Sequence, residues 1–205
     1  MKIKNSFIPI NPYNRPGKAS KPVRICIHYT GDVGAGADSL AQFYSNVASG
    51  MFSDKPWNWT STQYIVGLDG EVIRIVPDNE VSYAASGNNN GTIHIEVCYK
   101  QPSGEFEQAS NDALRELVLS LMQKYNISAD KVVRHYDLTG KLCPYYYIDS
   151  MRWAAQHKYI TTPEHKPATL YRVQVGAFSS KAKANAFLKS LKKAGFDGFI
   201  TKTTS

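Results

Sequence analysis

Two imidazoles and a thiol, His28, His135 and Cys143, are the side chains here best suited to hold a metal ion together. None is informative alone, because a single histidine more often packs than ligates. The segment Arg134–Pro144 changes that reading. It places a histidine near a strand end and a cysteine after a short loop, so imidazole and thiolate can face one point. His28 ends a strand of its own, where its side chain can meet them. Three protein ligands leave a fourth position for water, which is the pattern of a catalytic zinc site. The same donors serve copper electron transfer, which needs a weak axial methionine. Met51, Met122 and Met151 stand at no supporting spacing, so zinc is the expected cofactor.

A carboxylate accompanies these donors. In the strand Thr92–Cys98, Ile93, Ile95 and Val97 share one face and His94, Glu96 and Cys98 the other. Glu96 thus lies within a hydrophobic strand, where an unpaired charge is costly, and it needs a Lys, an Arg or a metal-bound water as partner. A solvated position on a half-buried sheet is the plainer alternative. His94 is either a fourth ligand, a support for one, or a packing residue; packing is the expectation.

The elements that must position these groups follow from periodicity. Val23–His28 alternates as a strand, with Val23, Ile25 and Ile27 on one face. Asp38 is the expected N-cap of a helix with the stripe Leu40, Phe43, Tyr44 and Val47. Strands at Gln63–Gly67 and Val72–Val76 flank Asp69-Gly70, a hairpin signal. Residues 112–125 carry Leu114, Leu117, Val118 and Leu121 at helical spacing. A short strand covers Lys131–Val133, and a last helix covers Arg152–Gln156. Residues 161–168 read as a linker, with two prolines among polar residues. Beyond it the pattern predicts a β-α-β unit: a strand through Tyr171, Val173, Val175 and Ala177, a helix carrying Ala184, Phe187, Leu188 and Leu191 and ended by Gly195, then a strand over Phe196–Thr203.

Composition bounds the rest. An apolar content of 42% suits a globular core, and no apolar run is long enough to insert in a membrane. Three cysteines do not make a disulfide framework, and Cys26 and Cys98 are expected as small buried hydrophobes. The net charge is +7, of which residues 169–205 carry +6, with Asp197 as their one acidic residue. A basic module of this kind suits an anionic partner such as an acidic wall polymer. No nucleic-acid-binding motif accompanies it, so nucleic acid is not expected. Pro9, Asn11 and Pro12 break the N-terminal apolar run, so no secretory signal is expected.

These motifs, over roughly residues 1–155, resemble the zinc-dependent N-acetylmuramoyl-L-alanine amidases of the amidase-2 group. That group includes phage endolysins and bacterial autolysins, and is related to peptidoglycan recognition proteins. The arm Phe7–Gly17, Ile27–Thr30, Ser61–Val66 with Asp69-Gly70, Asn90–Glu96, and Arg134–Asp137 with Lys141–Pro144 carry the resemblance in order. It implies an α/β fold with a mixed central sheet flanked by helices. It also implies His28, His135 and Cys143 as zinc ligands, with Glu96 and Lys141 catalytic, and cleavage of the amide between N-acetylmuramic acid and L-alanine in a Gram-positive wall. The alternative within the group is a recognition module that binds peptidoglycan without cutting it. The chain departs from the pattern in three places. His94 stands where glycine is usual, Thr62 where some members use a catalytic tyrosine, and Cys143 where some relatives use aspartate. Substrate-binding residues are not specified. Without a secretory signal, the expected protein is made in the cytoplasm and reaches the wall after release.

The segment from Tyr171 onward resembles half of a SPOR domain, a peptidoglycan-binding module built from two β-α-β units. The expected organisation is a catalytic domain at 1–160, a linker at 161–168, and a wall-binding or dimerisation unit at 169–205. One half-module per chain predicts a homodimer that completes the pair.

Overall fold

The computed structural model describes residues 2–163 and 174–202. Six strands, β1 (Ile3–Asn5), β2 (Arg24–Tyr29), β3 (Tyr64–Val66), β4 (Val72–Arg74), β5 (Thr92–Val97) and β6 (Val132–Arg134), form one sheet in the order β1-β4-β3-β5-β2-β6. The β3–β4 hairpin is antiparallel and every other pairing is parallel. Its turn needs Gly70, which has φ +82° and whose Cβ would lie 2.9 Å from the Ala109 carbonyl oxygen. The mixed central sheet inferred from the resemblance is therefore present.

Helices α1 (Ala37–Ala48), α2 (Gln108–Tyr125), α3 (His135–Thr139) and α4 (Ser150–Thr161) accompany the sheet. The stripe Leu114, Leu117, Val118 and Leu121 buries α2 against Ile25, Ile27, Ile93, Ile95 and Val97, with Ile160 of α4 in the same cluster. Truncating Leu117 to alanine would cost about 2–5 kcal/mol, since a cavity adds to the lost transfer energy. Asn126 ends α2 in a left-handed conformation, φ 53°. On the opposite face, Ala37, Tyr44 and Ala48 of α1 pack with Ile8, Ile65, Ile73, Ile75 and Cys98.

Both faces of β2 and β5 are therefore covered, a consequence of parallel pairing. Ile25, Cys26, Ile27 and His28 are all buried, so the alternation in this strand separates two interiors rather than core from solvent. Val23 lies outside the strand and is exposed. Cys26 and Cys98 are free, buried thiols, as expected. Asp38 is not the cap of α1: Gly36 takes that position, and Asp38 in the first turn bonds Lys4 at 2.9 Å.

The chain divides into two compact units, Met1–Glu164 and His165–Ser205. In the second, α5 (Lys181–Lys193) matches the expected helix; Ser180 caps its start, and Gly195 follows it with φ +88°. The two strands expected beside it are not formed at residues 174–178 or 196–202. Alternating apolar residues select a face, but a strand also needs a hydrogen-bonded neighbour, and none is present among the described residues. Tyr171, Val173 and Thr203 lie outside the described residues, as does most of the linker.

Candidate active site

Parallel pairing brings the carboxyl ends of β2, β5 and β6 to one edge of the sheet, the usual place for a site in such a fold. His28 lies next to the last residue of β2, directly opposite Glu96 on β5. β6 ends at Arg134, and His135 opens α3. Gly140, φ +76°, stops α3 and turns the chain into the loop that carries Lys141 and Cys143. That loop is tied back by Tyr136 N–H donating to the Cys143 carbonyl at 2.9 Å, and by Cys143 N–H donating to the Lys141 carbonyl at 2.7 Å. Arg134 adds a brace. Its guanidinium bonds Asp137 and donates to the carbonyls of Tyr147, at 2.8 Å, and Ile148, at 3.1 Å.

The result joins the three expected ligands. Donor atoms of His28, His135 and Cys143 all lie within 4.8 Å of one another, and all three residues are buried. His28 Nδ1 is 3.8 Å from Cys143 Sγ and 4.0 Å from Glu96 Oε1. Glu96 and Lys141 line the same cleft, which has a volume of about 260 Å³.

The electrostatics suit a metal. Burial, reinforced by the neighbouring histidines and Lys141, holds His28 well below the ordinary imidazole range. Burial and then Lys141 lower His135 to about 4. Both rings are thus neutral, the form that ligates. His135 Nδ1 is buried without a hydrogen-bond partner among the described residues, an expense that a bound cation or water nearby would offset. Burial pushes the Cys143 thiol up to about 12, so a metal must displace its proton. Two imidazoles and one thiolate are a donor set that zinc accepts, leaving a coordination position for water. Burial also raises Glu96 to about 8 against the opposing pull of Lys141, and a carboxyl poised near neutrality can exchange protons.

Two of the departures from the family pattern take defined places. His94 does more than pack: its Nδ1 lies 2.9 Å from His28 Nε2. Thr62 is fully buried and donates its hydroxyl to the His94 carbonyl at 2.6 Å, away from the cleft. The cleft wall also includes Tyr29, Thr30, Leu40, Phe43, Tyr44 and Thr60, none of them singled out from sequence as substrate contacts. The stripe of α1 was the available signal, since Leu40, Phe43 and Tyr44 belong to it.

A family model described as N-acetylmuramoyl-L-alanine amidase matches residues 18–146, and a SPOR-domain model matches residues 147–202. The chain is 32% identical over 166 residues to the N-acetylmuramoyl-L-alanine amidase BlyA of Bacillus subtilis, covering 68% of this chain and 41% of BlyA. It is 34% identical over 152 residues to the amidase XlyA of the same species, covering 72% of this chain and 48% of XlyA. It therefore spans less than half the length of either relative. A solved structure of a mutant endolysin from Bacillus subtilis superposes with a TM-score of 0.64 at 33% identity, covering 78% of this chain and 99% of that one. The amidase model covers more than half of the chain, and the chain therefore belongs to the N-acetylmuramoyl-L-alanine amidase family.

Proposed function

We propose that the chain is a zinc-dependent peptidoglycan hydrolase of the endolysin or autolysin type. It cleaves the amide between the lactyl group of N-acetylmuramic acid and the L-alanine of the stem peptide. One observation carries the reading: the donor atoms of His28, His135 and Cys143 lie within 4.8 Å of one another in the cleft that Glu96 and Lys141 also line. Recognition without cleavage would not require that convergence.

His28, His135 and Cys143 would hold the zinc, which when bound polarises a carbonyl and makes water a better nucleophile. The Glu96 carboxylate takes a proton from the attacking water and returns it to the amide nitrogen as the C–N bond breaks. The products are a lactyl carboxylate and a free alanine amine. Lys141 donates to the oxygen on which negative charge develops. The cleft is walled by the buried Tyr44 and the half-buried Leu40, Phe43 and Tyr29, and charges beside such walls act through a lower dielectric than in water.

The basic unit that includes α5 is proposed to hold the enzyme on the wall, in keeping with its SPOR match and its suitability for anionic polymers. Among the described residues no helix is long and apolar enough to cross a membrane.

Digestion of purified sacculi tests the activity. New amino-terminal alanine should appear without new reducing sugar ends, should stop on chelation and should return with Zn²⁺. Reducing ends without free alanine would overturn it.

A further inference from the structure

An imidazole can present only one lone pair while neutral. For His28 to offer Nδ1 towards Cys143 and Glu96, its proton must sit on Nε2, and that N–H then needs an acceptor in a place water does not reach. The side chain that meets His28 Nε2 is His94, through Nδ1 at 2.9 Å. The two rings are 5.1 Å apart between centroids and tilted by 58°, and their residues are 1% and 0% exposed.

His94 is itself held in place. Its backbone N–H donates to Gln63 Oε1 at 2.8 Å, and its carbonyl accepts from Gln63 N–H at 3.1 Å and from the Thr62 hydroxyl at 2.6 Å. Gln63 is fixed in turn by the Ser82 hydroxyl, which donates to its Oε1 at 2.9 Å, and by its own Nε2 donating to the Glu80 carbonyl at 2.9 Å. A chain of buried hydrogen bonds therefore runs from the start of β3 to the far side of the His28 ring.

We propose that His94 is a positioning residue for the metal site: its Nδ1 accepts the His28 Nε2 proton, fixes that tautomer, and so directs the His28 Nδ1 lone pair at the ion. The proposal rests on the zinc reading above. It differs from a ligand role for His94, in which Nδ1 or Nε2 of His94 would meet the metal. A neutral imidazole does this work without adding a charge to a dry interior, where a carboxylate in the same place would need a partner of its own. His94 Nε2 finds no hydrogen-bond partner among the described residues, so the ring accepts a buried unsatisfied group to make this one bond.

The first test needs no variant. Nitrogen-15 spectra of the zinc-free full chain should show His28 protonated on Nε2 and His94 unprotonated on Nδ1. A proton on His28 Nδ1 would overturn the proposal. The second test is zinc affinity, measured by chelator competition with folding checked by circular dichroism. His94→Leu should weaken zinc about 10–100-fold, as loss of an outer partner does. His94→Asn, whose side-chain carbonyl can accept from His28, should recover most of that loss. Equal affinity in the wild type and His94→Leu would sink the proposal, as would an absorption-edge spectrum with three nitrogen ligands to zinc instead of two and a sulfur. If the wild type takes up no zinc, the metal reading fails separately, and the tautomer spectrum still decides whether His94 sets the His28 proton.

Discussion

His28 and Glu96 occupy the same register position on neighbouring parallel strands, with His28 Nδ1 4.0 Å from Glu96 Oε1. Burial keeps the imidazole neutral, so the contact is not an ion pair. The pairing puts the proposed ligand and the proposed proton carrier side by side, and their roles separate by mutation. Glu96→Gln should keep stoichiometric zinc yet lose a factor of about 10² or more in turnover, the usual cost of a missing general base. Lys141→Ala should lose about 10²–10³ with zinc intact, as for an oxyanion donor. Elemental analysis beside alanine release from sacculi decides; a fully active Glu96→Gln enzyme means another group moves the proton.

The three thiols make a matched set for assigning the ligand. All are buried, but Cys143 is the one whose Sγ faces His28 Nδ1. Cys143→Ser should lose its zinc. Cys98→Ser, placed against the α1 core, should retain it with at most a modest loss of stability. Retention of one zinc per chain by Cys143→Ser would remove Cys143 from the ligand set.

Asp78 predicts the acid behaviour of the fold. It is 4% exposed and accepts from Tyr64 at 2.5 Å, Tyr125 at 2.7 Å and Lys124 at 2.8 Å. Burial alone would raise its carboxyl, but the hydrogen bonds from Lys124, Tyr64 and Tyr125 outweigh it and hold the group below the usual range. A carboxyl depressed in the folded state stabilises above its unfolded value, near pH ~3.9, and that contribution is lost as pH falls through the folded value. Asp78→Asn should therefore cost about 1.5–3 kcal/mol at neutral pH. The gap to wild type should close in strong acid. Urea unfolding at both pH values checks it, and a constant gap would count against an ionic contribution.

The second unit leaves Val175, Phe178, Phe196 and Phe199 exposed, on a segment of about the size that rarely supports a core unaided. The full chain is expected to dimerise through residues 169–205. Phe196→Asp combined with Phe199→Asp should shift it to monomer without changing zinc content. Light scattering at high micromolar concentration measures this, and a monomeric wild type there rules out the dimer.

Much of the site was legible because its chemistry is written in residue types. His28 and His135 stand at strand ends, Glu96 lies within an apolar strand, and Cys143 follows His135 after a short loop; Lys141 came from the family resemblance, and the structure brings all five to one cleft. For His94 the sequence left ligand, support and packing open and favoured packing. Its contact with His28 is a diagonal one between β2 and β5, and no spacing within either strand encodes that distance. Arg134 escaped for the same reason, since the carbonyls it holds belong to residues 147 and 148. In the tail, the strands expected from alternation are not formed at residues 174–178 or 196–202, because alternation reports a preferred face without supplying the neighbour that a strand must bond. The cap of α1 was misplaced by two residues because Asp38 finds Lys4, a partner far away in sequence.

The order β5-β2-β6 also carries a kinetic consequence. Strand β2 must dock between two parallel neighbours that begin at residues 92 and 132, so the side of the sheet that carries the site forms only after long loops have closed. Such distant pairings slow folding, because chain entropy is lost before contacts repay it. The proposed ligands inherit this delay, since Cys143 lies 115 positions beyond His28 and no local segment can gather all three. Metal uptake by a refolding chain should therefore lag behind collapse and helix formation, and report the moment at which β2 enters the sheet.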